Sequence, residues 1–333
     1  RIDTRAHVLS AEETITYTNN SPDALPFLWL QLDQNLYRKD SRGYAMSGGR
    51  RIDPAQSTSG YEIEAVSVDR GGRAAAAPFV VTDTRMRVDL PAAVKPSGGQ
   101  VKLRIRYHYT VPGLFGGRTA WNANKSGDIY DIAQWYPRLA VYDDQRGWDT
   151  LPYLANEFYL EYGAFDYAVT VPADMIVAGS GALTNPQEVL TPAQRARFER
   201  ARTSDKTVLI RTPEEVAATP APGGATKTWR FHMDNTRDVA FTASRAFVWD
   251  AARINLPDGK TAMAQSVYPP ESVGENAWSR STEYMKDAVE RFSKRWYPYP
   301  WPNAINVAGP ATGMEYPGIV FDGITDKAKT LFF

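Results

Sequence analysis

Cysteine is absent from this chain of 333 residues. Its absence excludes disulfides, thiolate metal sites and cysteine nucleophiles, and it leaves the redox compartment open. Histidine is scarce as well: the chain has His7, His108 and His232, and no two of them stand one helical turn apart. A zinc site built mainly of histidine is therefore not expected within this chain.

The chain also lacks an excess of charge, because 38 basic residues balance 38 acidic ones. Proteins that bind nucleic acids usually carry a basic stripe, so we expect no nucleic-acid partner. No run approaches the roughly 18 apolar residues of a membrane span, so we expect no transmembrane segment in this chain. The first residue is Arg1 rather than Met, which we interpret as an interior cut in a longer protein.

In the first two-thirds of the chain, apolar and polar residues alternate with a period of two, which is typical of strands with one buried face. The clearest case is residues 101–110, where apolar residues alternate with polar ones and His108 takes an outward position. The same pattern predicts further strands at 13–18, 27–32, 61–68, 84–91, 165–172 and 226–233. Turns rich in Gly and Pro separate these segments, so the sequence predicts a mainly β fold, an antiparallel sheet or sandwich.

Two segments carry helical signals instead. Residues 191–201 begin with Thr191 as N-cap, Pro192 at the first helical position and Gln194 to complete a capping box. Residues 270–302 predict an amphipathic helix that ends before a series of prolines. The apolar face of that helix is predicted to consist of Met285, Ala288, Val289, Phe292 and Trp296. The change of pattern places a domain boundary near 255–270, which divides the chain into residues 1–260 and 261–333.

The segment GPATGMEYPGIVFDG, residues 309–323, holds a carboxylate, Glu315, among glycines and prolines. Alone, Glu315 is open to three interpretations. It could be a surface or salt-bridging residue, or an acid of a sugar-binding or glycosidase site, which needs a second carboxylate about 5–9.5 Å away. It could also bind a cation such as an ammonium group, beside an edge strand that pairs with a peptide.

The segments TGMEYPG and YPYPWPNAINVAGP together resemble sequences of the gluzincin zinc aminopeptidases typified by aminopeptidase N. In that family the motif G-x-M-E-N lies on an edge strand beside the catalytic cleft. Its Glu binds the free α-amine of the substrate, and its backbone pairs with the substrate main chain. The resemblance aligns these five positions with Thr312, Gly313, Met314, Glu315 and Tyr316. Thr312 replaces a Gly and Tyr316 an Asn, although a bacterial branch has a variant written GMEYPG.

Residues 131–149, DIAQWYPRLAVYDDQRGWD, resemble the segment in which the family supplies a second amine-binding group, written Q-x-E or Q-x-Q. Gln134 and Tyr136 stand at these positions. A neutral phenol does not replace the charge of a carboxylate, which leaves Glu315 as the amine anchor. Taken alone, Gln134 and Tyr136 would be ordinary strand residues. The tryptophans of this part of the chain are more simply core residues than a substrate cage; they are Trp121, Trp135 and Trp148.

The resemblance extends over nearly the whole chain, with 15–35 similar to the early strands and 237–251 to the last strands of the family's N-terminal β domain. It implies a saddle-like β domain followed by the start of an α+β thermolysin-like catalytic domain. It also implies zinc in the intact parent, held by H-E-x-x-H and a downstream Glu, with a tyrosine that stabilises the oxyanion. These residues are missing from the chain, and 326–333 resemble the approach to the H-E-x-x-H helix. We therefore expect the fragment to bind no zinc and to be inactive alone.

The resulting hypothesis is that the chain is the N-terminal part of a zinc aminopeptidase, which hydrolyses the first peptide bond of peptides with a free N-terminus. One alternative is a non-catalytic aminopeptidase-like scaffold for protein–protein interaction. Another is a stand-alone β-sandwich module that binds sugars or peptides. The bacterial branch suggests an exported or periplasmic protein, with the cytoplasm as the other location.

Overall fold

A computed structural model describes residues 1–47, 57–70, 73–113, 117–154, 156–220, 223–274 and 277–323. The chain divides into two compact units. The first comprises Arg1–Pro112 and Gln134–Glu161, and the second comprises Gly113–Ala133 and Tyr162–Phe333. The predicted approach to an H-E-x-x-H helix, residues 326–333, lies outside the described residues.

Strands form most of the regular structure in both units. In chain order the strands of the described residues are β1 (Ile2–Asp3), β2 (Val8–Asn19), β3 (Leu25–Gln31), β4 (Glu62–Arg70), β5 (Arg73–Ala76), β6 (Phe79–Thr82), β7 (Arg85–Val94), β8 (Gly99–Thr110), β9 (Ala120–Asn122), β10 (Ile129–Ile132), β11 (Arg138–Leu139), β12 (Tyr142–Asp143), β13 (Gly147–Trp148), β14 (Gly163–Pro172), β15 (Ile176–Gly179), β16 (Ala182–Leu183), β17 (Val208–Arg211), β18 (Thr226–Thr236), β19 (Phe241–Ser244), β20 (Val248–Asn255), β21 (Thr261–Tyr268), β22 (Asn303–Gly309), β23 (Met314–Tyr316) and β24 (Ile319–Gly323).

Helices are short by comparison. Those of the described residues are α1 (Arg42–Ser47), α2 (Pro186–Val189), α3 (Pro192–Ala201), α4 (Pro213–Ala217) and α5 (Ser281–Arg295), with 3₁₀ turns at Asp33–Tyr37, Pro270–Ser272 and Trp278–Arg280. Among the helices that the structure describes, none has the length and apolar character needed to cross a membrane.

The first unit contains antiparallel sheets, one with strand order β1-β2-β8-β4-β5 and one with order β11-β3-β7-β6. The predicted alternation in residues 101–110 is confirmed, because Leu103, Ile105 and Tyr107 are fully buried in β8. His108 points outward as predicted, and its Nδ1 lies 2.8 Å from Glu64. Burial of alternate residues against the core is what fixes the register of these strands.

The second unit is built around a six-stranded mixed sheet with strand order β17-β20-β21-β22-β24-β23. The strands β21, β22 and β24 are mutually parallel, and α5 forms the connection from β21 to β22. A crossover helix is the usual way to join neighbouring parallel strands. Two smaller antiparallel sheets, β15-β19-β10-β9 and β14-β18-β16, complete this unit.

Both helix predictions hold, but the buried face of α5 differs from the predicted one. At α3 the capping box is present, since Thr191 and Gln194 each bond the other's backbone N–H at 3.2 Å. On α5, Phe292 is 62% exposed, and Trp296, directly after the end of the helix, is 74% exposed. The face that meets the sheet consists of Thr282, Met285, Val289 and Ser293. Two small hydroxyl residues replace the predicted aromatic ones because their hydroxyls find partners within the unit.

The mainly β fold with several antiparallel sheets is confirmed. The predicted boundary between residues 260 and 261 falls in the turn that joins β20 to β21, and strands on both sides of it share the six-stranded sheet. The compact units divide the chain elsewhere. That boundary, the saddle shape and the thermolysin-like character of the second part stay predictions.

Candidate functional site

Residues 312–316 lie together at one edge of the six-stranded sheet. In the part of the chain that the structure describes, β23 pairs with β24 alone, and Glu315 stands opposite Val320. The other side of β23 therefore presents backbone groups without a partner strand among the described residues. An extended peptide can add to such an edge through main-chain hydrogen bonds.

The turn between β23 and β24 anchors this edge to the sheet. It consists of Pro317 and Gly318, and Gly318 has φ +77°. Pro followed by a Gly of positive φ is the sequence that a type II turn requires. The carbonyl of Gly318 accepts a hydrogen bond from the N–H of Ile305 at 3.0 Å, which ties the turn to β22.

Strand alternation separates the side chains of the predicted motif into two faces. Glu315 and Thr312 are exposed, whereas Tyr316 is buried and its ring centroid lies 5.5 Å from that of Phe321. Met314 shares the face of Tyr316 and is half-buried. The carboxylate of Glu315 is thus available to a ligand, while the phenol at the position of the family's Asn packs in the core.

A second carboxyl group, Asp322 of β24, shares the face of Glu315. It comes two residues after Val320, the cross-strand partner of Glu315, and such diagonal neighbours lie roughly 7–8 Å apart. Burial, and secondly the negative charge of Glu315, raises the pKa of Asp322 to about 6. Among the described residues, no salt bridge neutralises either carboxyl group. The face therefore carries negative charge that is available to a cationic ligand.

The segment that leads into β23 is held by a buried carboxyl group, Asp131 of β10. Its Oδ2 accepts a hydrogen bond from the N–H of Ala311 at 3.0 Å, and its Oδ1 lies 2.9 Å from Oγ1 of Thr242. A Cβ atom at Gly309 would overlap this carboxyl group, so only glycine fits there. Burial raises the pKa of Asp131 to about 7, and its hydrogen bonds with Thr242 and Ala311 offset part of the rise.

Gln134 belongs to the first unit, in an irregular segment between β10 and β11 rather than in a strand. It is buried with φ +51°, an uncommon conformation for a residue other than glycine. Its carbonyl accepts hydrogen bonds from Nε2 of Gln34 at 2.8 Å and from the hydroxyl of Tyr61 at 3.0 Å. Its own Nε2 is buried and has no partner among the described residues, so the amide has a donor to offer a ligand.

Tyr136, the other residue predicted in this segment, is buried, and its ring centroid lies 5.2 Å from that of Trp135. It also belongs to the first unit and lies outside the regular strands. Arg138, two residues after Tyr136, forms a buried ion pair with Asp33 at 2.8 Å. This ion pair fixes the segment around Tyr136 within the first unit. The assembly of Gln134 and Tyr136 with Glu315 into one site stays a prediction.

The three tryptophans are each half-buried and pack against tyrosine rings. Trp121 stacks on Tyr130 with centroids 6.4 Å apart, and Trp148 lies 5.1 Å from Tyr142. Together with the contact of Trp135 to Tyr136, these pairs agree with a structural role for the aromatic rings.

The residues that the structure describes do not form a metal centre, since no group of three or more His, Asp or Glu side chains is placed to hold an ion. His232 lies 2.8 Å from Asp166 and, like His108, sits beside exposed acids on a strand. The donor set of these described residues therefore does not fit the zinc ion that the resemblance implies.

A cavity of about 140 Å³ lies elsewhere in the second unit. It is lined by residues of β15, β16, α3, β21 and β22, and none of the predicted site residues is among them. The amide of Asn303 in its wall is already bonded to the backbone of Gly179 and Gly181, and that of Gln265 accepts from the indole of Trp249. The amide of Asn303 and the side-chain oxygen of Gln265 thus have partners within the protein, and we place the candidate site at β23 instead.

Sequence reasoning missed Asp131 and Asp322, although both stand within quoted segments. Each is an aspartate in an otherwise apolar strand, in IYDI and IVFDG. A charged residue in a strand with no polar face is a signal of a buried, partnered or functional group.

Comparison with known proteins supports the fold alone. No family model and no curated protein sequence matches the chain. Among solved structures, a glutamate-to-alanine mutant of a two-domain M1 zinc metallopeptidase, bound to L-arginine, matches with TM-score 0.54 and 17% identity over 95% of this chain and 56% of its own. A glutamate-to-alanine mutant of an M1 zinc metallopeptidase from Deinococcus radiodurans matches with TM-score 0.52 and 16% identity over 94% and 56%. A mutant from the same organism bound to a Tyr-Ser-Ala substrate gives TM-score 0.52 and 17% identity over 93% and 55%.

The chain thus spans a little over half the length of these neighbours. The sequence resemblance to gluzincin peptidases and the structural likeness agree at the level of the fold. The chain has the fold of the corresponding part of the M1 zinc metallopeptidases.

Proposed function

We propose that this chain is the N-terminal part of a zinc-dependent aminopeptidase and that Glu315 binds the α-ammonium group of the substrate peptide. The observation that carries the proposal is the position of Glu315, an exposed carboxylate on an edge strand whose outer backbone groups are free of a partner strand among the described residues. An extended peptide that pairs with β23 would bring its first residues alongside this carboxylate.

Charge strengthens the proposal. Asp322 adds a second carboxyl group on the same face, and neither it nor Glu315 is neutralised by a cation among the described residues. A charge-assisted hydrogen bond from an ammonium group is worth roughly 1.5–3 kcal/mol. Glu315 is therefore expected to give about a 10- to 150-fold preference for a free over a blocked amine.

The ligands of the structural neighbours point in the same direction. L-arginine and the peptide Tyr-Ser-Ala, which those metallopeptidases bind, each carry a free α-amine. In this proposal the zinc ligands of the intact protein come from residues other than those described, and the described residues contribute amine recognition and not the hydrolytic step. Gln134, with its buried amide donor, is assigned to a carbonyl oxygen of the substrate main chain.

The experiment is a binding titration of the 333-residue chain with the peptide Tyr-Ser-Ala and its N-acetyl form. We expect the free peptide to bind about 10- to 150-fold more tightly, and Glu315→Gln to remove that difference. Glu12→Gln, at an exposed position of β2 in the first unit, is the matched control and should leave both affinities unchanged. Equal affinity of the unaltered chain for both peptides would contradict the proposal.

Two other functions remain as competing proposals. A non-catalytic scaffold would keep the fold and show no amine preference. A carbohydrate-binding or glycosidase site is favoured by one observation, the carboxyl pair of Glu315 and Asp322 in which one pKa is raised. Titration of the same variants with oligosaccharides tests it: binding that depends on both carboxyl groups would replace the peptide proposal.

A further inference from the structure

We propose that Asp131 is a neutral carboxylic acid in the folded protein and that, in this form, it positions the segment 309–313 and thereby Glu315. The neutral state of Asp131 is inferred from the geometry of the second unit alone. Only the consequence for substrate binding rests on the function proposed above.

The hydrogen bonds of the Thr242 hydroxyl support the neutral state of Asp131. Its Oγ1 lies 2.9 Å from the carbonyl oxygen of Tyr130 and 2.9 Å from Oδ1 of Asp131. A threonine hydroxyl supplies one hydrogen, so an ionised Asp131 would have to share that hydrogen with the carbonyl of Tyr130 in a weaker, bifurcated bond. A carbonyl has no hydrogen to give. As a carboxylic acid, Asp131 donates to Thr242 while Thr242 donates to Tyr130, so that each of the two contacts has its own hydrogen.

The other oxygen of the same carboxyl group reaches the segment in front of β23. Oδ2 accepts from the N–H of Ala311, a bond that is equally available to the neutral acid. Gly309 lies so close to the carboxyl group that a Cβ would collide with it. Residues 309 and 311 are thus both fixed by Asp131, only a few residues before Glu315. A neutral acid makes all three contacts.

The surroundings of Asp131 agree with the neutral form. The side chain is fully buried, and burial is the largest influence on its pKa, which is raised to about 7. The other influences come from Thr242 of β19 and the N–H of Ala311 after β22, and no charged side chain contributes. At mildly acidic pH, below this value, the buried carboxyl group holds its proton.

The test compares Asp131→Asn with Asp131→Ala in the 333-residue chain. Asn imitates the neutral acid, because its oxygen can accept from Ala311 and its NH₂ group can donate to Thr242. We expect Asn to preserve the hydrogen-exchange protection of the Ala311 amide and Ala to reduce it at least tenfold. If Asn loses protection as fully as Ala, Asp131 acts as an anion and the proposal is wrong.

The titration of Asp131 in the unaltered chain provides a second test that needs no variant and so does not depend on variant folding. The carboxyl carbon of Asp131, followed by NMR, should titrate near pH 7, and the Ala311 amide should shift with it. In Asp131→Asn the Ala311 amide should not shift over this range. A carboxyl carbon that is fully ionised at pH 5 would overturn the proposal.

The link to substrate binding is measured as the ratio of Tyr-Ser-Ala affinities of the unaltered chain and Asp131→Asn across pH 5.5–8.5. The ratio cancels titration of the peptide amine itself. We expect it to be constant below about pH 6 and to fall severalfold between about pH 6 and 8 as Asp131 ionises, and a flat ratio would exclude a positioning role. If the unaltered chain binds no peptide, the proposed function fails, while the NMR titration still decides the protonation state of Asp131.

Discussion

Two regions of the second unit hold acidic side chains in opposite ways. At the outer edge, Glu315 and Asp322 share one face of the β23–β24 hairpin, with no cation from the described residues beside them. In the interior, Asp131 and Asp250 are fully buried and have hydroxyl partners. A carboxylate in water needs no protein partner, whereas a buried one is stable only when it is hydrogen-bonded or neutral. The outer pair is therefore free for recognition, and the inner pair serves to fix the structure.

The inner region shows how completely such groups are satisfied. Oδ2 of Asp250 accepts from the hydroxyl of Tyr268 at 2.6 Å, and Oδ1 is bonded to the hydroxyl of Thr282 on α5. Thr282 in turn lies 2.8 Å from Oγ of Ser266 on β21. This network attaches the beginning of α5 to the sheet from which β23 extends.

The largest effect is expected from breaking the inner network. Asp250→Ala removes the acceptor of the buried Tyr268 hydroxyl, leaves Thr282 with Ser266 alone and opens a cavity, which we expect to lower the free energy of unfolding by on the order of 3 kcal/mol. Denaturant unfolding measures this. Asp250→Asn retains an acceptor and should lose clearly less, and Glu315→Gln should lose almost nothing. Equal losses in all three variants would remove the distinction between the two regions.

Sequence patterns predicted the parts of this fold that depend on local rules. The alternation in β8 follows from burial of one face, and the capping box of Thr191 and Gln194 depends on residues three positions apart. We expected Glu315 at a sheet edge only because its motif resembles that of the aminopeptidases. Nothing local in GMEYPG encodes the order of the strands in the sheet.

Patterns failed where polar residues are buried through distant partners. The face of α5 was predicted from apolar residues, yet Thr282 and Ser293 occupy it and Phe292 is exposed. Thr282 is buried because Asp250, 32 residues earlier, accepts its hydrogen bond. Asp131 likewise depends on Ala311, 180 residues later. Such pairings are properties of the tertiary structure, and a window of ten or fifteen residues does not contain them.

A second, smaller effect is expected in the pH dependence of stability. Burial raises the pKa of both Asp131 and Asp250 from 3.8 to about 7, so the folded state binds more protons than the unfolded state between these values. The contribution of these two groups to stability should therefore fall as pH rises from about 4 to about 7 and then level off. Thermal unfolding at several pH values tests the sign. Relative to the unaltered chain, Asp131→Asn and Asp250→Asn should each lose less stability over this interval, because each removes one of the two contributions. A pH dependence that is the same in both variants and in the unaltered chain would show that the inner carboxyl groups are ionised in the folded state.

The smallest expected effect is a change in the pKa of Asp322. It shows whether the two carboxyl groups of the outer pair bind one ligand. The negative charge of Glu315 contributes to the raised pKa of Asp322, about 6, after burial. Glu315→Gln should therefore lower the pKa of Asp322 in an NMR titration, while Glu12→Gln in the first unit should leave it unchanged.

A bound ammonium group should lower the pKa of Asp322 as well, because a cation favours the ionised form of a nearby carboxyl group. If Tyr-Ser-Ala lowers the pKa of Asp322 and its N-acetyl form does not, the amine lies within reach of both carboxyl groups. If neither peptide changes it, the two groups do not share a ligand, and Glu315 alone would have to supply the preference for a free amine.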